Sequence, residues 1–92
     1  MDLAHRDVME ALNPLCAQVM SVPPESVVPE ARLVADLGAD SLDVTELEAA
    51  VEELFGVSLK AAKTAGVATV GDVADLIVRQ RASDDDRRRA VA

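Results

Sequence analysis

Asp40-Ser41-Leu42-Asp43-Val44-Thr45-Glu46-Leu47-Glu48-Ala49-Ala50-Val51-Glu52-Glu53-Leu54-Phe55-Gly56 reads as one amphipathic helix with both ends written into the sequence. Leu47, Ala50, Val51, Leu54 and Phe55 recur at three- and four-residue steps, which places them on a single helical stripe. Asp40 is a good amino-terminal cap with a second carboxylate, Asp43, three residues on, and this leaves Ser41 in the first turn with its hydroxyl free. Gly56 supplies the stop.

Outward from this helix the chain stays helical and poor in strand signals. On the carboxyl side, Ser58 can cap a short helix from Leu59 to Ala65 that ends at Gly66. Thr69 with Asp72 is a capping-box variant opening a further helix, in which Val70, Val73, Ala74 and Ile77 face the core and which ends near Gln80. Ser83-Asp84-Asp85-Asp86-Arg87-Arg88-Arg89 is charged and apolar-poor. Its Asp/Arg spacing is compatible with a continued helix, but the composition favours a frayed tail.

On the amino side, Val8, Leu12, Leu15, Cys16 and Val19 define a helix over 3–20, with a kink or break expected near Asn13 because Pro14 removes a hydrogen bond. Ser21-Val22-Pro23-Pro24-Glu25 ends it, and Pro29 prolongs a connection that runs to about Gly38. Val27, Leu33, Val34 and Leu37 are expected to anchor that connection to the core as an ordered strap. The fold expected is all-α: a four-helix bundle with a short third helix and a long ordered loop between helices one and two. The division is a domain over 1–81 and a charged tail over 82–92.

Ninety-two residues suffice for one core, and with Phe55 the sole aromatic that core is aliphatic. Cys16 is the only cysteine; it falls on an apolar stripe as a structural thiol and fits a reducing, cytoplasmic setting. No apolar run approaches the roughly 20 residues that cross a bilayer, and the first residues lack the order of a secretion signal, so neither membrane nor export is expected. A net charge of −8 argues against nucleic acid. From Leu33 to Leu59 the chain carries Asp36, Asp40, Asp43, Glu46, Glu48, Glu52 and Glu53 without a Lys or Arg, so partners are expected to be basic proteins.

The segment Asp36-Leu37-Gly38-Ala39-Asp40-Ser41-Leu42-Asp43, followed by Glu46-Leu47 and Glu52-Glu53-Leu54-Phe55, resembles the phosphopantetheine site of bacterial-type acyl carrier proteins. The similarity continues without a gap from about Val27 to Ile77, through Ala68-Thr69-Val70 and Asp75. It implies a carrier that is a substrate and not an enzyme, with 4′-phosphopantetheine from coenzyme A attached to Ser41 and with Asp40 and Leu42 flanking the attachment. It further implies docking of basic enzyme surfaces on Asp40, Asp43, Glu46, Glu52 and Glu53, and an acyl pocket lined by Leu47, Ala50, Leu59 and Val67. The implied partners are a phosphopantetheinyl transferase, then a ketosynthase, acyltransferase or other acyl-processing enzyme, and the carrier itself is expected as a monomer without a metal.

Lys60-Ala61-Ala62-Lys63, Glu48, Ala49 and Pro14 depart from the commoner pattern and lean the reading from fatty-acid toward polyketide or other secondary metabolism. Two alternatives stay open: an aminoacyl or peptidyl carrier, and an unmodified acidic helical adaptor. A Ser-His-Asp hydrolase is disfavoured because His5, the only histidine, lies near a terminus.

Overall fold

The structure, a computed structural model, describes residues 5–57 and 67–91, with side chains assigned up to residue 82. Among these residues there are three α-helices, α1 (His5–Met20), α2 (Ser41–Phe55) and α3 (Val70–Val91), and no β-strand beyond one isolated bridge. The expected short helix over 59–65 lies outside the described residues.

Helix α1 runs unbroken through Pro14, contrary to the expected break. Two features outweigh the proline. Val8, Leu12, Cys16 and Met20 form one buried edge four residues apart, at about 1.5–3 kcal/mol for each large apolar side chain, against about 3 kcal/mol for proline inside a helix. Pro14 and Glu10, whose carbonyl loses its donor, both lie on exposed positions where water can take over. Asn13 bonds outside its own helix. Its amide Nδ2 donates to the carbonyls of Pro24 at 2.8 Å and Val27 at 2.9 Å, clasping α1 to the following segment.

Ser21 closes α1 in the left-handed conformation (φ 53°), and the amide of Val22 reaches back to the carbonyl of Ala17 at 3.1 Å. The chain then makes a single 3-10 turn, Pro24–Ser26, and crosses to α2 as a strap. Val27, Leu33 and Leu37 of this strap are buried as expected, joined by Ala31 and Ala39. Val34 is not an anchor, because it stands 68% exposed. The strap is stitched to the entry of α3: Leu33 N–H donates to Ala68 O at 2.9 Å, Val70 N–H to Ala31 O at 3.0 Å, and Gly71 N–H to Pro29 O at 2.9 Å. That approach explains the glycine, since a Cβ at Gly71 would lie 3.0 Å from the Pro29 carbonyl oxygen.

Helix α3 opens on the capping box read from sequence. Asp72 N–H donates to Thr69 Oγ1 at 3.1 Å, while Asp72 Oδ2 accepts from the amides of Ala68 and Thr69. It buries Val70, Val73, Ala74 and Ile77, and also Leu76. It does not stop near Gln80; the backbone stays helical to Val91. Arg81 is tied to α2 at the point where the end was expected. Helix α1 packs on both α2 and α3, and the core lies between them and beneath the strap.

Candidate functional site

Ser41 is the first residue of α2, and its side chain is exposed. Its neighbours do the capping. Asp40 Oδ1 accepts from Asp43 N–H at 2.8 Å, and Asp43 Oδ2 accepts from Asp40 N–H at 3.2 Å, a complete reciprocal box. The amide of Val44 already bonds the Asp40 carbonyl. The N–H groups of Ser41 and Leu42 are therefore the donors the helix start leaves over, beside a hydroxyl with no hydrogen bond of its own among the described residues. Thr45 Oγ1 donates to the Ser41 carbonyl and leaves the hydroxyl alone. Leu42, 63% exposed, stands next to it.

At about 100° per residue, the acids of α2 do not share one face. Glu46 and Glu53 lie together near the middle of the exposed side, with Leu42 above them, and Asp43 lies between that line and α1. Glu48 and Glu52 follow Ser41 along the opposite edge and are only half exposed. Glu52 Oε1 is buried with no hydrogen-bond partner among the described residues. The acids of α2 thus fall on two sides of the helix, and Glu52 belongs to the edge that bears Ser41 and Glu48.

That edge borders a cavity of about 410 Å³ between α2, the strap and α3. Val44, Leu47 and Glu48 line it from α2, Val67, Val73 and Leu76 from the α3 side, and Arg32, Leu33 and Val34 from the strap. Of the expected pocket residues, Leu47 and Val67 are present. Ala50 is not: three residues from Leu47 it is turned toward α1, where it shares a depression with Leu15, Glu53 and Leu54. Leu59 lies outside the described residues.

Local electrostatics fix the cavity's rim. Arg32 Nε and Nη2 each donate to Asp36 at 3.2 Å, and the Arg32 amide adds a bond of 2.7 Å. These bonds hold the Asp36 carboxyl below the usual aspartate range and raise the Arg32 guanidinium further. The amides of Ala68, then Thr69, hold Asp72 below that range too. Burial alone pushes the Cys16 thiol up to about 11.

The family model described as "Phosphopantetheine attachment site" matches residues 10–77, from within α1 through the strap and α2 to the first turns of α3. The chain is a member of the phosphopantetheine-attachment family. Curated relatives of this family named acyl carrier protein agree. That of Thermosynechococcus vestitus is 45% identical over 71 residues, covering 77% of this chain and 88% of its own. That of Helicobacter pylori is 43% identical over 70 residues, 76% of this chain and 90% of its own. That of Wolinella succinogenes is 41% identical over 66 residues, 72% and 87% respectively.

A phosphopantetheine-attachment domain carries 4′-phosphopantetheine covalently, and an acyl carrier protein is a carrier and not an enzyme. The surface around Ser41 fits such a group: a free primary hydroxyl, two unclaimed amides for a phosphate, and open space. The hydrolase alternative finds no support, since His5 Nε2 pairs with Asp75 Oδ1 at 3.0 Å across α1 and α3 and bonds nothing at Ser41. Sequence reading missed the Arg32–Asp36 clasp and Leu76 on the cavity wall. A charged pair four residues apart inside the strap was the available signal for the former.

Proposed function

We propose that Ser41 bears the phosphopantetheine arm and that the chain carries acyl groups as thioesters between enzymes of fatty-acid or, in preference, polyketide or related secondary metabolism. The observation that supports it most is the division of labour at the start of α2, where Asp40 and Asp43 satisfy one another and leave the Ser41 hydroxyl and the next amides open. In the modification step, Ser41 Oγ forms a bond to the pantetheine-bearing phosphorus of coenzyme A while the bond to adenosine bisphosphate breaks. The hydroxyl proton goes to a base on the phosphopantetheinyl transferase, because the Asp40 and Asp43 carboxylates are each engaged by a backbone amide.

The arm's thiol supplies a thioester reactive enough to transfer and stable enough to carry. Ser41, with its flexible tether, raises the cargo's effective concentration at each partner site. Asp40, Asp43, Glu46 and Glu53 are exposed or half-exposed around it and suit basic patches on a ketosynthase or acyltransferase; Glu52 contributes from the cavity edge. Such pairs speed encounter more than they add affinity, which suits a cytoplasmic shuttle. Residues 1–81 are assigned as the acyl carrier domain and 82–92 as a charged carboxyl-terminal tail.

Intact-mass measurement after incubation with coenzyme A and a promiscuous transferase tests the assignment. One phosphopantetheinyl group is expected on the protein and none on Ser41→Ala. An unmodified wild-type chain overturns it, as does modification of the Ser41→Ala variant.

A further inference from the structure

The cavity beside α2 is apolar except at two points, and they differ in what they leave unsatisfied. Arg32 is engaged by Asp36 through both Nε and Nη2. Glu48 projects from the α2 wall, half-buried, and its carboxylate has no hydrogen bond or ion pair among the described residues. It stands two helical turns below Ser41 on nearly the same line, about 10 Å along the axis, on the edge of α2 that bears the hydroxyl.

We propose that Glu48 selects the cargo: the cavity seats an acyl chain bearing a hydroxyl group in preference to a saturated chain of equal length. This rests on the carrier reading above and names its substrate class. An alkyl chain pressed against Glu48 strips water from a charged carboxylate and returns nothing. A hydroxyl in the same place donates a charge-assisted hydrogen bond to it, while Leu47, Val73 and Leu76 still cover the methylenes. Discrimination comes as much from rejecting the saturated chain as from holding the hydroxylated one.

The test loads the full chain with octanoyl, 3-hydroxyoctanoyl or 5-hydroxyoctanoyl pantetheine arms, an amide replacing the thioester, and confirms each by intact mass. Methyl NMR shifts of Val44, Leu47, Val73 and Leu76 then report the seated fraction. At least one hydroxylated chain is expected to show a seated-to-free ratio about tenfold above octanoyl. Glu48→Val abolishes or reverses that preference, and Glu48→Gln, which keeps the shape and an acceptor but not the charge, reduces it. Equal preference in wild type and both variants overturns the proposal, as does a wild type that seats octanoyl better. Should Glu48→Val not fold, the Glu48→Gln comparison alone decides by the same criterion. A chain that takes up no arm at all is a separate result, which overturns the carrier reading itself.

Discussion

Arg81 of α3 donates its Nη1–H to the carbonyl oxygen of Phe55, the last residue of α2, at 2.8 Å. The bond satisfies a carbonyl that the end of a helix leaves without a donor and sets a positive charge at the negative end of the dipole. Gly56, left-handed at φ 69°, turns the chain away so that the guanidinium can enter. It also fixes α3 against the helix that carries Ser41.

Arg81→Ala is therefore expected to destabilise the protein by about 1–2 kcal/mol, the range for a partly exposed hydrogen bond to a charged group. Arg81→Lys, lacking the planar fork, recovers part of the loss. Urea unfolding curves measure both; an Arg81→Ala midpoint equal to wild type would show that the contact contributes nothing.

Asn13 and Pro14 predict opposite signs at adjacent positions. Asn13→Ala removes two bonds to the strap and costs about 1–2 kcal/mol. Pro14→Ala restores a helical hydrogen bond and stabilises by about 2 kcal/mol after the greater freedom of the unfolded chain is deducted. Thermal melts of the two variants should move apart in those directions, and a Pro14→Ala variant that melts lower would contradict this account of α1.

Asp36 and Asp72 set the acid limb of stability. Both carboxyls titrate below their ordinary value of 3.8 in the folded chain, so the unfolded chain binds protons first as pH drops. Their stabilisation is complete above that ordinary value and is lost as pH falls through their lower folded values. Asp36→Asn and Asp72→Asn should each flatten the fall in melting temperature in acid while lowering the neutral plateau. An unchanged slope in the double variant would refute the assignment.

Cys16 should be inert. It is fully buried in α1, and burial raises its thiol to about 11. A chromogenic disulfide reagent at pH 8 is expected to react only at the rate of unfolding, reaching one equivalent in denaturant; rapid labelling of the native chain would disprove the packing.

The sequence by itself determined what is local. Of the stripe read from spacing, Leu47, Val51 and Phe55 are buried while Leu54 stands 57% exposed and Ala50 is half-buried; Asp40 with Asp43, like Thr69 with Asp72, reveal the two helix starts, because a cap depends on residues three apart. Ser41 at the mouth of α2 was legible for the same reason. The tertiary structure alone decided the continuity of α1 through Pro14, the exposure of Val34, the turning of Ala50 toward α1, and the run of α3 past Gln80. Two of these involve a partner distant in the chain: Leu15 for Ala50, and Phe55 for Arg81. Helical periodicity ranks positions by face but does not say which neighbour meets that face. The half-burial of Glu48 against an apolar cavity therefore appears only once the strap and α3 close around it.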